Sequence, residues 1–182
     1  MIENKINKLG QIWIETVLYT LIGLSLIGLT LTFVMPRINA SKDIATIEQT
    51  MESLNVFQKK IDALIEGGSG NVRNIDMYLG RGELFIIPER DEIKIILYDF
   101  EAPYTEENEE VPIGKAIILT EKSQKKYKEN IYITYGGVAD IFYDGSEEQK
   151  KFTPVSIPYK FSVENLGDTD GNGIVEINIR QI

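Results

Sequence analysis

The chain has 182 residues, carries a formal net charge of −9 and contains neither cysteine nor histidine. The absence of these two residue types excludes disulfides, thiol nucleophiles, zinc sites built from Cys and His, and catalytic triads with a histidine base. The acidic charge argues against nucleic acid as a partner, because such binding depends on neutralising phosphates with Lys and Arg. The length suits one membrane helix followed by one globular domain.

Residues 16–35 form an uncharged and almost wholly apolar run. At a rise of about 1.5 Å per residue, a helix of about 20 residues spans a hydrocarbon core of roughly 30 Å, so this run predicts a transmembrane helix. The ten residues at the N-terminus carry two lysines against one glutamate, whereas the acidic surplus follows Pro36. This asymmetry predicts a cytoplasmic N-terminus and an acidic domain outside the membrane. A cleaved secretory signal, with Ala40 and Ser41 near its cleavage site, is the less favoured alternative because the apolar run is long.

Glu15 is set just inside this apolar stretch. A carboxylate near the bilayer centre is unfavourable by about 2.5–3.5 kcal/mol, which suggests that it has a partner. Glu15 follows Gln11 by four residues, so both lie on one face of a helix, and Lys8 and Gly10 precede them. These residues resemble the class III signal of archaeal type IV pilins and archaellins. In that family a short basic leader ends in glycine, glutamine is a common new N-terminus, and a glutamate follows within one turn.

The resemblance implies that a prepilin-type peptidase cleaves after Gly10, so that the mature chain begins at Gln11. It also implies that Glu15 of one subunit pairs with the new N-terminus of a neighbour in a helical homopolymer. An assembly ATPase and a membrane platform protein are the further partners that the family uses. The expected product is a cell-surface filament for adhesion or motility. Leu9 and Trp13 depart from the family pattern, which usually has a basic and a small residue at these positions.

Two other interpretations keep the same membrane topology. In the first, Gly10 is a flexible residue before an uncleaved anchor, Trp13 lies at the membrane interface, and Glu15 reaches the headgroups. The domain outside the membrane would then bind a ligand or a partner. In the second, the chain is a pseudopilin of a secretion system, which shares the processing but forms no long surface filament.

Pro36 predicts a kink or local unwinding where the helix leaves the membrane. Beyond it, residues 37–66 have the pattern of an amphipathic helix. Its apolar side chains recur at three- or four-residue steps with one longer gap: Ile44, Ile47, Met51, Leu54, Ile61 and Ile65. Gly67, Gly68 and Gly70 form the expected C-terminal signal. The chain thus divides into a leader (1–10), a transmembrane or assembly helix (11–36), its amphipathic continuation (37–66) and a β domain (71–182).

After Gly70 the apolar residues alternate with a period of two, which is typical of β-strands. Turn residues separate nine candidate strands: 72–79, 83–87, 93–100, 113–119, 131–135, 138–143, 151–155, 159–163 and 173–179. No second helix pattern alternates with them, so the sheet is expected to be antiparallel. The sequence therefore predicts an α+β fold, in which the long kinked helix packs on an antiparallel β-sheet or a β-sandwich.

One segment near the C-terminus has the spacing of a calcium-binding loop. Asp168, Asp170 and Asn172 alternate with smaller residues and are followed by Gly173, as in the D-x-D-x-N-G opening of such loops, and Glu176 adds a carboxylate. The twelfth position lacks the bidentate glutamate of a complete EF-hand. Asp, Asn and Gly are also the preferred residues of a plain hairpin turn, which is the favoured interpretation. Calcium is the one cofactor that the sequence suggests.

Two further patterns concern the surface. Asn39 opens an Asn-Ala-Ser sequon, which predicts N-glycosylation just outside the membrane. The acidic run 101–110 and the basic run 122–128 are interpreted as solvated loops, with subunit contacts of opposite sign as the alternative. No residue combination predicts catalysis, so the chain is not expected to be an enzyme.

Overall fold

The computed structural model describes the backbone of residues 3–182 and the side chains of residues 12–182. The chain divides into two compact units, one ending at Ser41 and the other comprising Lys42–Ile182. The described residues of the first unit are all helical, because the chain from Glu3 onward belongs to helix α1 (Glu3–Gly67). The second unit contains the rest of α1 and the β-strands.

Helix α1 is continuous over 65 residues. Pro36 lies inside it, and the helix continues through this position without a break, so the predicted local unwinding is wrong and the kink remains a prediction. The helix ends at Gly67, where the next residue, Gly68, adopts a left-handed backbone with φ of 80°. This is the glycine C-cap that the sequence predicts, since glycine has no Cβ to clash in that conformation.

Ten strands follow within the described residues, and they form two sheets. In chain order they are β1 (Val72–Met77), β2 (Glu83–Ile87), β3 (Glu92–Phe100), β4 (Glu110–Ile113), β5 (Ala116–Ser123), β6 (Lys126–Thr134), β7 (Ala139–Tyr143), β8 (Lys150–Phe152), β9 (Tyr159–Gly167) and β10 (Val175–Gln181). The four-stranded sheet has the order β1-β9-β10-β7, and the six-stranded sheet has the order β4-β5-β6-β3-β2-β8. The α+β class is therefore confirmed.

Apart from shifted strand ends, the strands differ from the predicted ones in three respects. The candidate strand 113–119 is two strands, because Gly114 makes a turn with φ of 68° between β4 and β5. The basic run 122–128 is not a loop but the tip of the β5–β6 hairpin. Strands β7 and β10 are parallel, so the prediction of a wholly antiparallel sheet is wrong for this pair. A period of two records which side chains share a face but not the direction of the neighbouring strand.

The C-terminal part of α1 shares one apolar core with both sheets. Its fully buried side chains are Ile47, Leu54, Phe57, Ile61 and Leu64. The ring of Phe57 meets the ring of Phe161 on β9 edge-on, with 5.7 Å between the centroids. Phe57 and Leu64 are absent from the predicted stripe. Because they are buried, the centre of the buried helix face lies farther from Ile44 than predicted, and Ile44 is 47 % exposed. Ile44 belongs to the predicted apolar stripe, and the expectation that this whole stripe is the buried face is therefore wrong at Ile44.

The C-terminus of α1 is tied to β9 by the buried side chain of Asn165. Its Nδ2 donates to the carbonyl of Leu64 at 2.7 Å, and its Oδ1 accepts from the amide of Gly167 at 2.8 Å. The backbone amide of Gly70 donates to the Asn165 carbonyl at 2.7 Å. A helix leaves its last carbonyls without partners in the helix, and Asn165 supplies one from another element. Helix and sheet are thereby joined by directional bonds as well as by apolar packing.

Candidate assembly helix and surface sites

The N-terminal unit presents apolar side chains on every side of the helix. Large side chains between Ile12 and Met35 are exposed around its whole circumference; Leu24 and Phe33, for example, are 61 % and 71 % exposed. Among the described residues, one helix is long and apolar enough to cross a membrane, and its most apolar window has a mean hydropathy of 2.1 with none of it buried. A helix that is apolar all round requires an apolar environment, supplied by lipid or by other helices.

The polar side chains of this segment are compatible with such an environment. Four threonine hydroxyls bond to carbonyls of the preceding turn: Thr16 to Ile12, Thr20 to Thr16, Thr30 to Leu26 and Thr32 to Leu29, at 2.7–2.9 Å. Hydroxyls that are satisfied within their own helix need no water. Glu15 is the charged residue at the N-terminal edge of the apolar run.

The predicted processing site lies at the edge of what the structure describes. Gly10 and Gln11 belong to α1, but their side chains lie outside the described residues, so cleavage after Gly10 remains a prediction. Glu15 is exposed on the same helix. Asn39 is also helical and exposed, and its glycosylation remains a prediction as well.

The loop between β9 and β10 brings the predicted calcium ligands into a compact turn. The Asp168 carboxylate accepts the amides of Gly171 and Gly173, at 2.7 and 2.9 Å. Asp170 accepts the backbone amide of Asn172 at 3.0 Å. Glu176 is separate from these groups and accepts the hydroxyl of Thr169.

The amide of Asn172 donates both to Asp170 and to Asp140 of β7, at 3.1 Å each. Within the described residues no group of three or more His, Cys, Asp or Glu side chains is placed to hold a metal. The geometry is that of the hairpin turn, and calcium binding remains a prediction.

The two charged runs contact each other within one chain. Lys126 forms an ion pair with Glu101, and Lys122 lies 3.9 Å from Glu107. The hydroxyl of Tyr127 also donates to Glu107 at 3.1 Å. The tip of the β5–β6 hairpin therefore neutralises part of the acidic loop. The alternative that the two runs form complementary subunit contacts stays a prediction.

A buried carboxylate, absent from the sequence predictions, fastens the acidic loop to the sheet. Glu129 of β6 is fully buried and accepts the hydroxyl of Thr120 at 2.6 Å and the amide of Tyr104 at 3.0 Å. The hydroxyl and amide of Thr105 extend this network to Thr120. The signal for it was present in the sequence, because Glu129 shares the alternation of the buried Ile131. A carboxylate in that register has to find donors inside the domain.

On the other face of the six-stranded sheet, Tyr98 and Glu83 form a polar pair. The hydroxyl of Tyr98 donates to Glu83 at 2.9 Å, and Lys151 lies 2.6 Å from the same carboxylate. Burial, together with the bond to Glu83, raises the pKa of Tyr98 to about 12. The bond to Lys151, followed by the bond to Tyr98, lowers the pKa of Glu83.

The chain matches no protein-family model, no curated protein and no solved structure. Its relation to known proteins therefore depends on the architecture and on the N-terminal residues. A long apolar N-terminal helix, whose C-terminal part packs on β-sheets, is consistent with a type IV pilin-like architecture.

Proposed function

We propose that this chain is a type IV pilin-like subunit that is processed after Gly10 and polymerises through its N-terminal helix into a cell-surface filament. The observation that carries the proposal is the apolar surface that the helix exposes on every side between Ile12 and Met35. Lipid covers this surface before assembly, and the helices of neighbouring subunits cover it afterwards. Burial against helices replaces burial in lipid, so van der Waals packing and polar pairing favour the filament.

Glu15 supplies the polar pairing in this proposal. Processing would free the amine of Gln11, and the carboxylate of Glu15 on a neighbouring subunit is a suitable partner for that cation. Such a charge-assisted hydrogen bond is strong in a medium of low dielectric constant, whereas a charge left unpaired there is costly. Glu15 thus serves register and assembly rather than catalysis.

The second unit is the part that a filament would display. The apolar core and the hydrogen bond from Asn165 to the Leu64 carbonyl hold the C-terminal part of α1 against the sheets. The β domain is thereby attached firmly to the helix through which the subunit would polymerise. An uncleaved anchor with a ligand-binding β domain, or a pseudopilin, is the alternative that keeps these features.

The first experiment is the intact mass and N-terminal sequence of the chain recovered from membrane and surface fractions of its native host. A chain that begins at Gln11 is expected. A chain that keeps its first ten residues in every fraction would refute the proposed processing and favour the uncleaved anchor. Long filaments under the microscope are expected as well, and processed chains without them would favour the pseudopilin.

Substitution of Glu15 tests the assembly step separately. Glu15→Ala is expected to leave the chain in the membrane fraction and to remove it from the filament fraction. Glu48→Ala is the matched control, because Glu48 is an exposed carboxylate of the same helix outside the apolar run. Normal filaments of Glu15→Ala would refute the pairing, and equal defects in both variants would refute a specific role for Glu15.

A further inference from the structure

The loop between β9 and β10 contains the one Asn-Gly pair of the sequence, Asn172-Gly173. Asparagine before glycine is the pair most prone to spontaneous deamidation, because glycine has no side chain to hinder attack by its own backbone nitrogen. That nitrogen loses its proton to hydroxide and bonds to Cγ of the asparagine, while the bond from Cγ to the side-chain nitrogen breaks and this nitrogen takes a proton from water and leaves as ammonia. Water then opens the resulting cyclic imide at either carbonyl, which gives aspartate or isoaspartate. Asn172 is exposed, so water and hydroxide can reach it.

Hydrogen bonds in the folded loop disfavour this reaction at both reacting groups, the Gly173 nitrogen and the Asn172 side chain. The amide of Gly173 donates to Asp168 Oδ2 at 2.9 Å. Its deprotonation would place a second negative charge beside that carboxylate, which is unfavourable. The side-chain oxygen of Asn172 accepts from the amide of Ile174 at 2.7 Å. These bonds direct the side chain toward Ile174 and keep the Gly173 nitrogen protonated.

We propose that Asn172-Gly173 is a deamidation site whose rate is controlled by the Asp168 carboxylate. While Asp168 binds the Gly173 amide, Asn172 stays intact, and when this bond opens the loop converts. The product alters the surface as well. The Asn172 amide is the donor that bridges Asp140 of β7 and Asp170, at 3.1 Å to each. Deamidation replaces this donor with a third carboxylate, so the loop loses its bond to β7 and gains repulsion.

The test follows deamidation of the full-length chain in detergent at neutral pH by peptide mass analysis. Deamidation exchanges an amino group for a hydroxyl and so changes the mass. Isomerisation at Asp170-Gly171 does not change the mass and is therefore not counted. Asp168→Ala is expected to deamidate about tenfold faster than the unchanged chain, since a hydrogen bond to a charged acceptor is lost. Asn172→Gln identifies the signal, because the faster reaction must disappear in the double variant.

Thr169→Val is the matched control, since it removes a hydroxyl bond within the same loop without touching Asn172 or Gly173. Its rate is expected to equal that of the unchanged chain. Equal rates for Asp168→Ala and the unchanged chain would overturn the proposal, as would equal acceleration by Thr169→Val. A free peptide of residues 168–174 gives a reference that needs no variant to fold. If the folded chain deamidates as fast as this peptide, the protection by Asp168 is refuted.

Discussion

Replacement of Asn165 by alanine is expected to lower the free energy of unfolding by more than the loss of a single surface hydrogen bond of the domain would. The variant leaves two groups without their partners, the carbonyl of Leu64 and the amide of Gly167. Each unsatisfied group costs about 1–3 kcal/mol, so the two together give a loss of roughly 2–6 kcal/mol. The loss is read from urea unfolding of the full-length chain in detergent, followed by near-UV circular dichroism, as a lower midpoint at unchanged slope.

Asn178→Ala is the matched control for this measurement. Asn178 is also a buried asparagine, on neighbouring β10, but its side-chain oxygen holds one turn amide, that of Gly145, at 2.9 Å. A single bond of this kind contributes about 1 kcal/mol. Equal losses for Asn165→Ala and Asn178→Ala would refute the reasoning that Asn165 joins helix and sheet. Asn165→Asp adds a test, because its carboxyl can donate to Leu64 only when protonated, so this variant should recover stability as the pH falls.

Three other expectations concern the same domain. Gly82→Ala should lower the unfolding free energy far more than Gly145→Ala: both glycines have positive φ, but a Cβ at position 82 would lie 2.3 Å from a carbonyl of β3 whereas position 145 is open. The strain at an open position costs about 1–2 kcal/mol, and equal losses in calorimetry would contradict the clash. Because the pKa of Tyr98 is raised to about 12, the unfolded chain ionises first, and stability is lost as the pH rises from about 10 to about 12. Tyr98→Phe should reduce this alkaline loss in unfolding curves, and an identical loss would refute the assignment. Thr120→Val removes a hydroxyl donor from buried Glu129 and should lower the free energy of unfolding, measured with urea, by about 1–3 kcal/mol. A decrease of only about 0.3 kcal/mol would contradict the importance of this network.

The sequence was informative where a periodic pattern decides the structure. The apolar run and the glycines after residue 66 indicated the long helix and its end, and alternation located most strands. It was less informative where one residue changes the geometry. Phe57 stands three residues after Leu54 and four before Ile61, yet without it the helix face was assigned too close to Ile44.

Strand direction and strand order depend on contacts between distant segments, so they could not be read from local patterns. β7 lies beside β10, with β8 and β9 between them in sequence. Asn165 and Glu129 stand at positions that the alternation of their strands predicts to be buried. Burial predicts that such polar side chains are hydrogen-bonded, but it does not predict which groups they bond to. Of the candidate site, the sequence indicated the apolar helix and Glu15, while the pairing of the charged runs became visible only in three dimensions.

The outer strands of the six-stranded sheet bear on how the domain behaves when many copies are crowded together. A long flat edge strand invites a strand from another molecule to join it, which is a common route to aggregation. Here one edge is β4, which has four residues and contains Pro112, a residue without an amide to donate. The other is β8, which has three residues and includes Lys150 and Lys151. Neither edge favours continuation of the sheet into a neighbour, so closely spaced domains can remain separate folding units.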